Sequence, residues 1–108
     1  MHEIATEVEQ LIEAVKQSKT YMEYDKQKKL INEDPELARQ IDKYREEVFN
    51  LQNSQDDNNI KARMNDFAER YADFLDDIRV SAYLDAENNL CRMMQELTER
   101  VIDSLEFE

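Results

Sequence analysis

Side chains able to do acid–base, nucleophilic or metal chemistry are plentiful in this sequence, but their spacing assembles no reaction centre. Asp and Glu together number 26 in 108 residues, against one histidine, His2, and one cysteine, Cys91. The adjacent pairs Asp56-Asp57 and Asp76-Asp77 stand where helices are expected to begin. Acids there accept free N–H groups and complement the helix dipole, so both pairs read as capping or solvated groups before catalytic or metal-binding ones. A di-iron bundle centre needs Glu-x-x-His pairs on facing helices, and a lone His2 beside the first residue cannot supply them. One cysteine excludes an internal disulfide and a thiolate metal cage. No spacing nominates a nucleophile with its base and oxyanion donors. The expectation is a protein that is not an enzyme, with no catalytic, cofactor-binding or metal-ligating residue and no cofactor.

Two side chains merit separate readings. Glu87 lies within an apolar arc of Tyr83, Leu84, Leu90 and Cys91. A buried carboxylate must be paired or protonated, so a structural partner is expected for it: an Arg, a Lys or a tyrosine hydroxyl on the facing helix. Cys91 reads as a small buried hydrophobe, because no histidine or basic cluster adjoins it to lower its pKa. Met93, Met94 and the tyrosines suit a core better than a cofactor pocket.

The elements that must position these groups are helices. The chain has no glycine and one proline, and its apolar residues recur at steps of three and four. Ile4, Val8, Leu11, Ile12 and Val15 mark one face of a first helix over Glu3–Lys16. Ser18 offers a cap for a second, less buried helix running to about Ile31 through Tyr21 and Tyr24. Asp34-Pro35 starts a third, since proline at the first helical position lacks an N–H that would be unpaired anyway. Leu37, Ile41, Tyr44, Val48 and Leu51 then form a heptad seam. A polar break over Asn53–Asn59 precedes a second seam of Ile60, Met64, Phe67, Tyr71, Phe74 or Leu75, and Ile78. The two seams should face each other as an antiparallel hairpin, turned by Asn53, Asn58 or Asn59 in the left-handed conformation. Asp76 or Asp77 caps a last helix from about Arg79 to Leu105, whose apolar residues cover more than half its circumference and so suit more than one neighbour.

The predicted architecture is all-α: one helical domain over residues 1–108, an antiparallel helical bundle with a long central helical hairpin and a long C-terminal helix. Part of the last helix is expected to meet another subunit. Phe49, one position off its seam beside Val48, and Phe107 at the end of the last helix are candidate interface residues, joined by Met93 and Ile102 on that helix.

Net charge and hydropathy narrow the partners. The formal charge is −12, with the bases interleaved among acids, which disfavours direct nucleic-acid binding and anionic membrane surfaces. The acidity suits solubility and a basic partner. No run approaches a membrane span, and Met1-His2-Glu3-Ile4 lacks a signal-peptide start, so a cytoplasmic protein with no membrane insertion is expected.

The run Ser18 to Tyr24, the Asp34-Pro35-Glu36-Leu37 helix start, the polar mid-chain break, and Val80 to Leu90 with its Tyr83-Leu84-Asp85-Ala86-Glu87 core carry a family likeness in their order and separation. Together they resemble the YlbF/YmcA family of small helical bacterial regulatory proteins, over nearly the whole chain. The resemblance implies a non-enzymatic helical bundle that associates with itself or with relatives, a dimer being favoured. It also implies an accessory role in competence, biofilm formation, sporulation and messenger-RNA processing by a complex with RNase Y. Some relatives tie an iron–sulfur cluster to a cysteine-bearing tail, and this sequence offers no matching cysteines after its last helix, so that role is not carried over. From a different class, a structural or chaperone-like helical module with no selective partner also fits the residues.

Overall fold

The structure, a computed structural model, describes residues 2–54 and 59–106. Among these residues there is no strand. A single 3-10 turn, His2–Ile4, leads into α1 (Ala5–Lys16), followed by α2 (Lys19–Asn32), α3 (Pro35–Gln52), α4 (Ile60–Arg70), α5 (Ala72–Asp76) and α6 (Ile78–Ser104). The all-α expectation therefore holds. By its internal contacts the chain divides into two units, residues 1–28 with 83–108, and residues 29–82.

The second unit is built around α3. Asp34 takes an extended conformation at the N-cap, and its Oδ1 accepts from the Leu37 N–H at 3.2 Å, with Pro35 in the first turn. This is the helix start the sequence dictates. Leu37 and Ile41 are buried, as are Ile31, Tyr71 and Val80, the last of these at 0% exposure. Burial of a side chain of this size is worth about 1.5–3 kcal/mol. Tyr44 lies 5.6 Å from Phe67, 5.3 Å from Tyr71 and 5.5 Å from Phe74, measured between ring centroids. Glu47 meets Arg70 at 3.1 Å, and Asp34 meets Arg79 at 3.1 Å. Partner numbers fall as α3 advances, so the chain runs back along α3 antiparallel, as the two seams predict.

Three details of that hairpin differ from expectation. The second seam is not one helix: Tyr71, at φ −102° and ψ 4°, separates α4 from α5. The Tyr71 N–H to Phe67 and Leu75 N–H to Tyr71 carbonyl bonds, at 3.1 and 2.9 Å, carry the chain across the break. Asp77 then leaves helical geometry at ψ 122°, which turns Ile78 off the seam to 83% exposure; Met64 is exposed as well. Two of the three asparagines nominated for the turn do not take the left-handed conformation, since Asn53 (φ −84°) and Asn59 (φ −99°) both keep negative φ; Asn58 lies outside the described residues. Asn53 continues the right-handed backbone for one more step, its N–H bonded to the Phe49 carbonyl and that of Ser54 to Leu51. Among the described residues, positive φ belongs to Glu106, at 53°.

The first unit contains α1, residues 19–28 of α2 and residues 83–104 of α6. One hydroxyl joins its first two helices: Ser18 Oγ donates to the Val15 carbonyl at 2.6 Å and accepts from the Tyr21 N–H at 3.1 Å. Tyr24 stacks on buried Tyr83 at 6.0 Å and touches Tyr21 at 6.3 Å, and Ala86 is buried too. The α1 stripe is covered less than its periodicity suggests. Val8 and Val15 are half-buried, whereas Ile4, Leu11 and Ile12 are exposed.

Candidate functional site

The densest polar arrangement lies in the second unit, where one arginine spans the caps of two helices. Arg79 donates through Nη1 to Asp34 Oδ2 at 3.1 Å, and through Nη2 and Nε to the Asp77 carboxylate at 3.0 and 3.3 Å. Asp77 Oδ1 also accepts the Arg79 N–H at 2.9 Å, which makes Asp77, of the two candidate aspartates, the cap of α6. Both carboxyls are held below the usual aspartate range. For Asp34 the first cause is the Leu37 N–H and then Arg79; for Asp77 it is the Arg79 side chain. Their lone pairs are thus occupied in structural bonds, which leaves them poorly placed as bases or ligands.

An open hollow of about 730 Å³ adjoins this clamp and includes Gln40, Lys43, Arg70, Tyr71 and Phe74 in its lining. Arg70 is engaged by Asp66 Oδ2 at 2.9 Å and by Glu47. Burial, and secondly the Glu47 carboxylate, push the Tyr71 phenol above its ordinary range and keep it neutral. No group of three or more His, Cys, Asp or Glu residues that could hold a metal ion occurs among the described residues. None of the helices among them is long and apolar enough to cross a membrane.

Apolar surface is the other resource. In the second unit Phe49 is 63% exposed and Met64 is open, and a hollow of about 430 Å³ is lined by Leu51, Ala62 and Phe67 together with polar residues that include Glu47 and Arg70. In the first unit Val8, Leu11, Ile12, Val15, Met94 and Leu97 line an apolar groove of about 190 Å³ between α1 and α6. The apolar strip continues along α6 through exposed Val101, Ile102 and Leu105, the last at 72%.

The candidate interface residues are divided between the two units. Phe49 belongs to the second unit; Met93, half-buried, and Ile102, exposed, belong to the first; Phe107 lies outside the described residues. The aspartate pair Asp56-Asp57 lies outside them as well. Glu87 is half-buried and meets a tyrosine hydroxyl as expected, but Tyr83 reaches it from its own helix, at 3.5 Å, one turn back. Cys91 is exposed, not buried. It sits roughly 80° around α6 from Tyr83 and 140° from Ala86, outside the face those buried residues mark. Leu11, Ile12 and Met94, which their spacing assigns to the core, are open too. The breadth of the apolar arc on the last helix is the one signal that its neighbours cannot cover it all.

These features define a small all-helical protein in which Asp34, Glu47, Asp66 and Asp77 are engaged in caps and ion pairs and whose distinctive surfaces are apolar. The chain belongs to the YlbF/YmcA family: the family model described as "Control of competence regulator ComK, YlbF/YmcA" matches residues 4–106. It is therefore a member of a regulatory family. Comparison with curated proteins and with solved structures gave no match.

Proposed function

We propose that this chain is a non-enzymatic regulatory or adaptor protein that works in the cytoplasm through protein–protein contacts, its 108 residues acting as one domain. Exposed large apolar side chains in a highly charged, glycine-free helical chain are the observation that carries the reading. Phe49, Val101, Ile102 and Leu105 remain open to solvent although the sequence has polar residues enough to replace them. Family membership supplies the context of competence control; the proposal extends it to biofilm formation, sporulation and RNase Y-dependent messenger-RNA processing, through a complex with relatives and the ribonuclease.

Self-association as a dimer is part of the proposal, and the α3–α4 hairpin is the surface best suited to it. Its two helices carry six acids and six bases, so a second copy meets no net repulsion there. Phe49 supplies an apolar contact on that hairpin. Phe107, Met93 and Ile102 are assigned to contacts with other proteins.

The test is affinity purification of the tagged protein from its own host, with crosslinking and mass spectrometry, beside a Val101→Ser/Ile102→Ser control. Selective recovery of family relatives or a ribonuclease, lost in the control, supports the reading. Recovery of many unrelated unfolded clients would replace it with a chaperone-like module, for which exposed apolar residues on an acidic chain would equally serve.

A further inference from the structure

We propose that the apolar groove between α1 and α6 in the first unit is the docking site for a cationic amphipathic helix of a partner protein. This rests on the adaptor reading and names the chemistry of the partner. The groove offers what an amphipathic helix recognises: a wall of Leu11, Ile12 and Val15 on α1, faced by Met94 and Leu97 on α6. Exposed Val101 and Leu105 extend it. From Met94 to Leu105 the strip runs about 16 Å at 1.5 Å per residue, three turns, which suits anchors at i, i+3, i+4 and i+7 of a partner helix.

Charge identifies the occupant. The one charged residue in the groove's own lining is Lys16, and around it the turn before α1 and α1 itself carry four acids, Glu3, Glu7, Glu9 and Glu13, and no other lysine or arginine. Between Leu90 and Glu106, Glu96, Glu99, Asp103 and Glu106 stand against Arg92 and Arg100. Acids also adjoin the apolar positions directly. Glu7 precedes Leu11 by four residues and Glu9 precedes Ile12 by three, while Glu99 lines a neighbouring hollow of about 320 Å³ with Met94 and Thr98. A second copy would bring this acidic rim against its own image, and an anionic lipid surface or a nucleic acid would be repelled in the same way. A helix with lysines or arginines flanking an apolar stripe meets both features at once.

The test uses the full chain and a fluorescein-labelled peptide with leucines at i, i+3, i+4 and i+7 and lysines on its other face. Its binding is read by anisotropy at low and high salt. Two control peptides keep the composition but scramble the order, or replace lysine with glutamate. The expected result is binding about tenfold or more tighter than either control, weakened by salt. A comparable loss is expected in Leu11→Ser/Val101→Ser with unchanged circular dichroism. Should that variant fold poorly, Glu7→Gln/Glu99→Gln, which leaves the apolar wall intact, must weaken binding at low salt and have little effect at high salt. Equal binding of the scrambled peptide, or indifference to Leu11→Ser/Val101→Ser, overturns the proposal. So does a fall in sedimenting mass in that variant, which would assign the groove to a second copy. The two readings can fail separately. Peptide binding without any selective host partner keeps the groove and sinks the adaptor function; a selective partner that still binds Leu11→Ser/Val101→Ser does the reverse.

Discussion

The second unit uses its polar and aromatic residues to close itself, whereas the first leaves much of its apolar surface open. In the second, Tyr44, Phe67, Tyr71 and Phe74 pack ring against ring, Arg70 bridges Asp66 and Glu47, and Arg79 bridges two helix caps. In the first, the tyrosines Tyr21, Tyr24 and Tyr83 form one cluster, and beyond it α1 and the end of α6 expose Leu11, Ile12, Val101 and Leu105. Composition does not explain the contrast, because both units draw on the same amphipathic pattern. What differs is how many elements share the covering. The hairpin folds α4 and α5 back over α3, while α1 is too short and its stripe too narrow to cover the wide apolar arc of α6. Stability is therefore expected to reside in the second unit, and recognition of proteins other than a second copy in the first.

Core truncation should break the comparison most strongly. Ile41→Ala, at a position only 3% exposed, is expected to cost about 2–5 kcal/mol in urea unfolding. Leu11→Ser, at an open position of the first unit, should stay within about 0.5 kcal/mol. Equal losses at the two sites would mean that the first unit is covered in solution, for instance by another chain. Next in size is Phe49→Ser, expected to lower the sedimenting mass from dimer to monomer while leaving the far-ultraviolet circular dichroism and the unfolding midpoint of the monomer nearly unchanged. Retention of dimer would move self-association off the hairpin.

A smaller effect is expected at the cap-bridging arginine, with a sign fixed by proton linkage. Asp34 and Asp77 have depressed pKa values in the folded chain, so the unfolded state binds more protons in acid. Their stabilising effect is present above the unfolded aspartate pKa, about 3.9, and is lost as pH falls through the lower folded values. Arg79→Gln should therefore lower the melting temperature modestly near neutral pH, and the gap to the wild type should narrow below about pH 4. These groups are exposed, so high salt should narrow it too. A gap that widened in acid would assign Arg79 another role. The smallest effect sharpens the picture of the first unit. Cys91 should react with a maleimide in the folded protein nearly as fast as in urea, without change in circular dichroism; a protected thiol would show that its side of α6 is covered.

Local chemistry makes the helix starts legible in the sequence. Ser18, Asp34-Pro35 and Asp77 each carry an oxygen that can take up a free N–H, and each does so where the sequence places it. The hairpin seam is legible because its period is set by the helix itself. The break at Tyr71 is not, since a residue leaving helical geometry by a few tens of degrees keeps the three- and four-residue spacing intact on both sides. Ile78 escapes for the same reason: Asp77 both caps α6 and ends α5, and the extended backbone this requires turns the next side chain away from the seam. At Cys91 the pattern reports which face a residue shares but not whether another helix lies on that face. The candidate site is legible only as an excess, an apolar arc wider than its neighbours can hide.

The joint between α1 and α2 sets a limit on how this chain can vary. Two residues, Gln17 and Ser18, separate the helices, and the Ser18 hydroxyl is bonded on both sides. Inserting one residue there would turn α1 by about 100° relative to α2, since each helical residue advances the face by that angle. Leu11 and Ile12 would swing away from α6 and the groove would lose one wall, though neither helix need melt. Four added residues, close to a whole turn, would bring the wall nearly back. Natural length changes at this joint should thus come in near-whole turns, a phase rule that point substitutions would never reveal.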